Sequence, residues 1–582
     1  MESTEKQKFL VVTTLERTKF TTKKDPIDFN ANVGEMILNA FKCKPDFIGQ
    51  IDANTQQQTT FQEMREKSIK CALWLKSNGI SAKNIVAICT HNEMDVYVPF
   101  LACLYLNAVA YIWNNVFFDH NKPLCLLWRT NPDIIFIQDC YVSQLCKAIR
   151  MLPKYVDLLS EKKIVVFGAT EMFTSFESIM CTSVCVKEID EFSCTKCLLR
   201  KTAMIMYTTN NFGYMDEIQF PYISFISPSN QYPPKMNFGG IGLWCEPFWW
   251  TYSPLLTVRA ILSYVTTIKT LATMYNIEVI YQLIEKYKVT WIFLKYSISL
   301  EIETIENIVQ QYDISSLEQF VYHCPNAKNI EIIEKHTSYL PYSVACIRVY
   351  GAPEIGIIAS DANNGGGMSK DNHVIFSNIN KNIELIIVSN KTRMIIDPWI
   401  YGEIWCKSPC LISANNKNAR LILGLNDYKT EWFYTGDVGY IENGIIFIYD
   451  KVSRVLYDCY FSELNFQLEL QNNPKVSNVV VQFVSSRSGQ RPVIYIWPKP
   501  GEKVTEEEVR ETIKKNIDQH LSHWSIIRIV RDDLPLYPDG EINQRRVQSI
   551  EYVRDMCKRS DAKRSCNLCN FSTKRNCGTI KI

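Results

Sequence analysis

The stretch Tyr434-Thr435-Gly436-Asp437-Val438-Gly439-Tyr440 is followed, thirteen residues after Asp437, by the pair Asp450-Lys451. We predict that Asp437 lies in a turn and that Lys451 lies at the exit of an apolar strand, Ile445–Tyr449. A carboxylate has two acceptor oxygens, which suit the two hydroxyls of a ribose, and a cation nearby suits its phosphate. The alternative is an ordinary Thr-Gly-Asp turn followed by a strand with a solvated polar end.

Size and composition describe a large globular protein. With 582 residues, the chain exceeds what one hydrophobic core usually supports, so we expect two or more domains. A hydrophobic fraction of 47% and an aromatic fraction of 12% are typical of a packed interior. The formal net charge is only +2, which argues against nucleic acid or an anionic membrane as a partner. We therefore expect small-molecule ligands; the sequence identifies no protein partner.

Several features bear on location. The first residues contain no apolar segment of signal-peptide length. The 21 cysteines have irregular spacing, which favours reduced thiols over a disulfide framework. A cytoplasmic or peroxisomal-matrix setting follows, and the ending Thr579-Ile580-Lys581-Ile582, which is not of the Ser-Lys-Leu type, favours the cytoplasm.

One uncharged segment, Val96 to Trp113, has the minimum length of a membrane span. Pro99 and Asn107 interrupt it, and strands covered on both faces also produce such runs. We therefore predict a buried helix followed by a buried strand, and no transmembrane segment.

Helical and strand patterns alternate along most of the chain. They predict helices at 62–78 and 277–288, and strands at 85–89, 134–137, 164–167 and 291–294. After Lys451 a smaller set begins, with helices at 462–471 and 506–520 and strands at 476–484, 493–497 and 526–530. The predicted fold class is α/β, with a large layered N-terminal domain and a small α+β C-terminal domain.

Short motifs occur in a specific order along the chain: Asn32 to Leu38, Thr60 to Met64, Gly402 to Trp405, Trp432 to Asp437, and Leu534-Pro535. In order and spacing they resemble the adenylate-forming superfamily, which includes acyl-CoA synthetases, 4-coumarate CoA ligase and beetle luciferase. The resemblance implies an N-terminal extension at 1–30, an adenylation domain at 31–450 and a mobile lid at 451–553. A basic, cysteine-containing tail would then occupy 554–582.

Enzymes of this superfamily join a carboxylic acid to ATP, release pyrophosphate, and pass the acyl group to a thiol, usually coenzyme A. The resemblance implies that Asp437 binds the ribose and that Lys451, at a position that is usually arginine, supplies a cation. Tyr350, followed by Gly351, matches the aromatic residue at the adenine. Glu354 matches the carboxylate that holds Mg²⁺, for which a hard oxygen ligand is appropriate. The implied ligands are thus ATP or AMP, Mg²⁺, coenzyme A and a carboxylic acid.

The match fails at the phosphate loop, which reads Tyr207 to Glu217 here. Thr208, Thr209 and Gly213 remain as nucleotide-binding candidates, but Asp216 replaces the usual lysine and Glu217 follows it. Two unit charges about 4 Å apart interact by about 4 kcal/mol at an effective dielectric of about 20. We therefore expect weakened binding of the ATP phosphates.

Two other catalytic positions differ. Glu541 stands where the superfamily has the lysine that reaches the reacting groups, and a carboxylate beside two anions should slow adenylation. Pro353 replaces a threonine before Glu354. Trp249 and Trp250 replace a histidine-containing motif, and we expect them to line a narrow, dry acid site.

Three functions remain open at this point. The first is a weakened acid–thiol ligase acting on a fatty or aromatic acid. The second is a catalytically silent relative that binds AMP or an acyl ligand, favoured by Asp216, Pro353 and Glu541. The third is a luciferin monooxygenase-like protein, which shares the same first step.

Two further patterns have plain alternatives. The tail contains Cys566 and Cys569 in C-x-x-C spacing, and Cys194 and Cys197 form a second such pair. The two pairs could bind a metal together. Alternatively, the first pair belongs to a flexible tail and the second is a separate pair of buried thiols. The glycines at 365–367 could form a substitute phosphate cradle or a surface loop.

Overall fold

The computed structural model describes residues 19–21, 24–91, 93–119, 123–209, 215–227, 233–270, 277–295, 308–323, 336–352, 354–362, 373–389, 392, 394–411, 419–420, 432–451, 455–456, 461–486, 489–517 and 519–530. These residues fall into two compact units. The bounds of the large unit are Met1–Tyr207 and Glu217–Asn465, and those of the small unit are Thr208–Asp216 and Phe466–Ile582. The predicted domain boundaries, including that at residue 451, stay predictions.

The strands up to residue 221 are β1 (Lys19–Thr21), β2 (Ile48–Asp52), β3 (Gln58–Thr60), β4 (Ile85–Cys89), β5 (Val109–Ile112), β6 (Ile134–Gln138), β7 (Ile164–Phe167), β8 (Thr174–Ser175), β9 (Thr202–Thr209) and β10 (Met215–Pro221). The helices between them are α1 (Val33–Cys43), α2 (Phe61–Ser77), α3 (Tyr97–Leu106), α4 (Val116–Asp119), α5 (Pro123–Thr130), α6 (Asp139–Arg150), α7 (Phe176–Cys181) and α8 (Val186–Asp190). Short 3₁₀ helices occupy Pro153–Leu159 and Tyr222–Phe225.

The strands from residue 241 to residue 451 are β11 (Ile241–Leu243), β12 (Thr266–Lys269), β13 (Trp291–Lys295), β14 (Gln319–His323), β15 (Ala345–Ala352), β16 (Gly356–Ala362), β17 (Val374–Phe376), β18 (Asn378–Ile379), β19 (Glu384–Val388), β20 (Ile395–Ile396), β21 (Gly402–Lys407), β22 (Ala419–Arg420), β23 (Trp432–Glu442) and β24 (Ile445–Lys451). Two helices lie among them, α9 (Tyr252–Leu262) and α10 (Ile277–Tyr287).

The remaining strands are β25 (Val455–Leu456), β26 (Phe461–Ser462), β27 (Val476–Ser486), β28 (Gly489–Pro498) and β29 (Ile526–Ile529). The helices of this part are α11 (Glu463–Gln471), α12 (Glu506–Asn516) and α13 (Gln519–Trp524). In the small unit, β27, β28 and β29 form one sheet, with β28 and β29 parallel. A capping box between Thr505 and Glu508 begins α12.

Three sheets organise the large unit. A seven-stranded sheet has the order β10-β9-β5-β4-β6-β7-β8, and a nine-stranded sheet has the order β18-β16-β15-β14-β13-β11-β12-β2-β3. An eight-stranded sheet contains the path β1-β19-β21-β23-β24-β17. Strands β12, β11, β13, β14 and β15 are parallel, so their carboxyl ends share one edge, where open α/β sheets bind ligands. The predicted α/β class with a small α+β unit is confirmed.

The structure confirms most predicted elements of the large unit. Helix α2 begins at a capping box in which Thr60 and Glu63 bond reciprocally, and Gly79 follows its end with φ +82°. The uncharged segment forms α3 and β5, and Asn107 ends the helix in the left-handed region. Every residue of α3 is buried, which explains the absence of charge. Among the described residues, no helix is long and apolar enough to cross a membrane.

Two local predictions were wrong, and a third was confirmed. Thr435, Gly436 and Asp437 lie within strand β23 rather than in a turn, because cross-strand pairing continues through them despite φ +74° at Gly436. Lys451 is the last residue of β24, which confirms the predicted basic residue at the end of this strand. The helix predicted at 506–520 ends at Asn516, and α13 begins separately at Gln519.

Candidate functional site

The hairpin of β23 and β24 brings the two ends of the opening motif together. Its loop is Asn443-Gly444, both with positive φ, which is the preferred two-residue hairpin turn. The register that follows from this turn places Asp437 opposite Lys451. The side chain of Lys451 lies outside the described part of the structure, so the pairing concerns its backbone.

The conformation at Asp437 is held by local hydrogen bonds. The Thr435 hydroxyl donates to the Ile404 carbonyl at 2.7 Å, and the Asp437 N–H donates to the Thr435 oxygen at 3.2 Å. Gly436 between them has φ +74°, a conformation that costs glycine little. The Asp437 side chain is only 4% exposed, so this turn-like kink inside a strand places a carboxylate in the interior.

Tyr350 is the partner of that carboxylate. Its hydroxyl donates to Asp437 Oδ2 at 2.8 Å, and its ring stacks on Phe376 with centroids 5.4 Å apart. Burial and then the charge of Asp437 raise the pKa of Tyr350 well above its usual value, so the hydroxyl keeps its proton and stays a donor. Tyr350 belongs to the nine-stranded sheet and Asp437 to the eight-stranded sheet, so this bond joins the two sheets.

The turn after Tyr350 contains Gly351 and Glu354. A Cβ at Gly351 would lie 2.5 Å from the Gly356 carbonyl oxygen and 3.0 Å from the Tyr252 hydroxyl, so the site requires glycine there. Glu354 is half-buried, and its charge adds to burial in raising the pKa of Tyr252. Pro353 lies outside the described residues.

A single carboxylate is a suitable protein contribution to a Mg²⁺ site, because this ion usually keeps several waters and binds through one or two carboxylates plus substrate phosphates. No group of three or more potential metal ligands occurs among the residues that the structure describes. Glu354 supplies one half-buried carboxylate at this turn, and its role as a Mg²⁺ ligand stays a prediction. The cysteine pair of the tail is not among the described residues.

The phosphate-loop candidates are placed in part. Thr208, Thr209 and Asp216 have described backbone in β9 and β10, while residues 210–214, including Gly213, lie outside the description. Glu217 is described, and it accepts a hydrogen bond from the Tyr111 hydroxyl at 3.0 Å. An anionic side chain is thus held near the start of β10.

The two tryptophans have different environments. Trp250 is buried, and its ring lies 5.1 Å from that of Tyr252 and 5.2 Å from that of Phe293, whereas Trp249 is half-buried. Tyr252 connects this aromatic group to Gly351. Trp250 is therefore connected through Tyr252 to the turn at Gly351, and the sequence analysis assigned no role to Tyr252.

Other contributors were also missed. Thr435 could have been found from its place in the opening motif, but Phe376 and Tyr111 carry no sequence signal that links them to the site. Glu541 and the glycines at 365–367 lie outside the described residues, so their predicted roles remain predictions.

Comparison with known proteins finds a family match and full-length relatives. The family described as AMP-binding enzyme matches residues 39–209. Peroxisomal OPC-8:0-CoA ligase 1 of Arabidopsis thaliana is 22% identical over 541 residues, which cover 90% of this chain and 94% of that protein.

Two solved structures share the fold. ATP-bound MatB from Rhodopseudomonas palustris superposes with a TM-score of 0.69 at 14% identity, covering 90% of this chain and 99% of that one. The luciferase-like enzyme of the nonluminescent mealworm Zophobas morio gives a TM-score of 0.61 at 20% identity, covering 74% of this chain and 99% of that one. At these identities the structural likeness establishes the fold alone.

Proposed function

Because this chain belongs to the adenylate-forming (AMP-binding) superfamily, we propose that it adenylates a carboxylic acid with ATP and passes the acyl group to coenzyme A, with an activity impaired at the phosphates. The hydrogen bond between Tyr350 and Asp437 carries this proposal. It preserves a buried, oriented carboxylate where a ribose diol would bind, and it lies beside the turn that bears Glu354.

In the proposed reaction, a carboxylate oxygen of the acid attacks the α-phosphorus of ATP. The bond from that phosphorus to the bridging oxygen breaks, and pyrophosphate leaves. The sulfur of coenzyme A then attacks the acyl carbon, loses its proton to solvent, and displaces AMP. Each step requires the nucleotide and the acid to be held in register, which is a task of positioning.

The described residues divide this task. Asp437 accepts hydrogen bonds from the ribose hydroxyls, and Tyr350 keeps the carboxylate oriented by donating to one of its oxygens. Trp250 and Phe293 exclude water from the acid side, because both are buried. Glu354 would hold Mg²⁺, which when bound neutralises phosphate charge. Lys451 would supply a weaker, less directional cation than arginine.

One hydrogen bond supports the expected impairment at the phosphates. Glu217 is fixed by Tyr111 at the start of β10, next to Asp216 in the sequence. Carboxylates repel phosphate oxygens, and because Glu217 is exposed, solvent and salt reduce this repulsion. We therefore expect a higher affinity for adenosine and AMP than for ATP.

ATP–pyrophosphate exchange tests the proposal most directly. The full chain is incubated with ATP, Mg²⁺ and labelled pyrophosphate, with and without fatty and aromatic acids. Acid-dependent exchange that is lost in Asp437→Asn, but not in the surface control Asp313→Asn, supports it. Absence of exchange with every acid, at enzyme concentrations comparable to the substrates, would reject adenylation.

A silent AMP- or acyl-binding protein is the second candidate. It is favoured by the anionic flank at Glu217 together with the replacements Asp216, Pro353 and Glu541. Thermal-shift titration distinguishes it, because ligand binding contributes RT ln(1 + [L]/Kd) to stability. Stabilisation by AMP without stabilisation by ATP-Mg²⁺ favours this candidate. Recovery of exchange in the double variant Asp216→Lys with Glu541→Lys would show that lost cations caused the silence.

A further inference from the structure

A cavity of about 500 Å³ lies between helices α1 and α2 and the segment at 183–190, which contains α8. No residue named above as a nucleotide or acid-site candidate belongs to its lining. Its volume is within the range of about 300–1,000 Å³ that small-molecule sites usually have. The proposed function therefore gives this cavity no role.

Helix α2 supplies one side of the cavity. Its lining residues occur at i, i+3, i+4 and i+8, a spacing that places them on one face of a helix: Gln62, Arg65, Glu66 and Lys70. At one end, the Lys70 ammonium donates to the Met180 carbonyl at 2.9 Å. At the other end, the Phe41 ring lies 5.0 Å from the ring of Phe61, the first residue of α2. Because eight residues of helix rise by about 12 Å, the cavity extends over about that length from Lys70 to Phe41.

The other side of the cavity is held by hydrogen bonds of the protein itself. The Arg65 guanidinium donates to the Ile189 carbonyl at 2.8 Å and to the Asp190 carboxylate at 3.3 Å, and its side chain is 11% exposed. The Cys185 N–H donates to the Glu188 carboxylate at 3.2 Å, which fixes the start of α8. A ligand would thus meet a preformed site, and preformed sites lower the cost of binding.

Lys70 carries positive charge that no carboxylate among the described residues neutralises by contact. Glu66 lies four residues before it, the spacing that favours an ion pair on a helix, but the two form none within 4.0 Å. Glu66 instead accepts a hydrogen bond from the Gln62 side chain at 3.0 Å. An ammonium has three donors, and Lys70, which is half-buried, gives one of them to Met180. The other two can bind an anion in the cavity.

Apolar side chains form much of the remaining lining: Phe41, Pro45, Val184, Val186 and Ile189. Phe41 and Ile189 are buried and Val184 is half-buried, whereas Val186 is 71% exposed. The apolar part of a ligand would remove this surface from water, which is favourable. The cavity therefore suits a molecule with an anionic group at the Lys70 end and an apolar body that extends toward Phe41.

The charges of the lining favour a single negative charge on that molecule. The lining contains three cations, Lys42, Arg65 and Lys70, and two carboxylates, Glu66 and Asp190. A phosphate monoester carries nearly two negative charges at neutral pH, so these carboxylates would repel it more strongly than they repel a monocarboxylate.

We propose that this cavity is a second small-molecule site, which binds an amphipathic monocarboxylate with its carboxylate on the Lys70 ammonium and its apolar body along Val184 and Phe41. The ligand class is medium-chain or arylalkyl acids. The inference stands independently of the proposed function, because the cavity shares no lining residue with the nucleotide site.

Calorimetric titration of the full chain, without nucleotide, tests this assignment. The probes are octanoate, octylamine, which has the same chain length and the opposite charge, and acetate, which lacks the apolar body. Wild type should bind octanoate about tenfold or more tightly than either of the others. Lys70→Met should lower the octanoate affinity about tenfold, the effect of one charge-assisted hydrogen bond, and Lys70→Arg should retain it. Val184→Trp should abolish binding, because the larger side chain fills the cavity without changing its charge.

Two matched controls remove a lysine elsewhere. Lys42→Met removes a cation at the far end of the cavity, and Lys76→Met removes one on α2 outside the lining. Both lysines are exposed, so the octanoate affinity should change by less than about twofold in either variant. The AMP affinity should be unchanged in Lys70→Met and Val184→Trp.

Three results would overturn the assignment: no octanoate binding by wild type, octylamine binding as tight as octanoate binding, or equal octanoate affinities in wild type, Lys70→Met and Val184→Trp. A loss in Lys42→Met as large as that in Lys70→Met would reject Lys70 as the residue that binds the carboxylate. Should Lys70→Met fail to fold, Val184→Trp and the comparison of octanoate with octylamine decide. None of these measurements requires AMP to bind, so failure of the proposed function and failure of this inference are distinguishable.

Discussion

The Tyr350–Asp437 junction and the Glu93–Lys269 region both bury charge in the large unit, but they satisfy it differently. The Asp437 carboxylate accepts a hydrogen bond from the Tyr350 hydroxyl at 2.8 Å, and the Asp437 N–H donates to the Thr435 side chain. Glu93 and Lys269 are close enough to influence each other's protonation, yet they form no ion pair within 4.0 Å. One region is pre-organised by its own hydrogen bonds, whereas in the other the two charges compensate each other only in part.

The two regions should therefore respond differently to a bound ligand. A satisfied buried network keeps one geometry with or without a ligand. Unpaired buried charges cost free energy in the free protein and gain most when a ligand of opposite charge arrives. We therefore expect the first region to determine nucleotide affinity and the second to determine the pH dependence of stability.

The largest effect should come from Asp437→Asn. Loss of the negative charge weakens the bonds to both ribose hydroxyls, and hydrogen bonds to charged groups contribute about 1.5–3 kcal/mol each. AMP affinity, measured by calorimetry, should fall about 100-fold. Asp313 forms an exposed ion pair with Lys288, and the control variant Asp313→Asn should leave the AMP affinity unchanged. An unchanged AMP affinity in Asp437→Asn would remove this region from the nucleotide site.

The second effect is a pH dependence of stability that originates at Glu93. A carboxyl whose pKa is raised from 4.5 to about 7 on folding stabilises the protein fully below 4.5, and this contribution is lost as the pH rises through about 7. Because Glu93 is partly exposed, we expect a loss of about 2 kcal/mol across this window. Urea unfolding at several pH values should show this decrease in the free energy of unfolding in wild type and in the surface control Glu171→Gln. Glu93→Gln should flatten the dependence.

A smaller effect should follow from Tyr350→Phe. The variant keeps the ring stacked on Phe376 and removes the bond to Asp437, a loss of about 1–2 kcal/mol. AMP affinity should fall about fivefold to tenfold, because the carboxylate is less well oriented. Tyr222→Phe, which removes another buried hydroxyl of the large unit, serves as the control. Equal AMP affinities in the two variants would contradict a positioning role for Tyr350.

The smallest effect should come from Glu217→Gln. An amide oxygen still accepts from Tyr111, so the fold is preserved while one negative charge is removed. We expect the affinity for ATP-Mg²⁺ relative to AMP to rise by about threefold at low salt and less at high salt, because exposed charges are screened. A gain that is equal for AMP and ATP would place Glu217 away from the outer phosphates.

Local signals predicted much of the fold. The capping box at Thr60 and the terminating Gly79 determine α2 with little help from packing. The uncharged run from Val96 was correctly divided, because Asn107 can adopt the left-handed conformation that ends α3. The prediction failed where pairing overrides local preference: Thr-Gly-Asp has turn chemistry, but β21 and β24 pair with β23 and keep it in a strand.

The site was predicted only in part. Asp437, Lys451 and Tyr350 could be named because short motifs carry them, although their roles remain predictions. Lys269 and Phe293 lie in separate strands and Trp244 directly follows a third, so no short pattern connects them.

The sequence by itself determined the alternation of helices and strands, the family resemblance and the replaced residues of the phosphate loop, since all of these depend on residue type and near spacing. Only the tertiary structure decided that Tyr350 bonds to Asp437, 87 residues later in the chain, and that Lys269 is buried against Trp244. Such contacts arise from the order and register of strands that are distant in sequence, and that order is set by packing of the whole sheet rather than by any local preference.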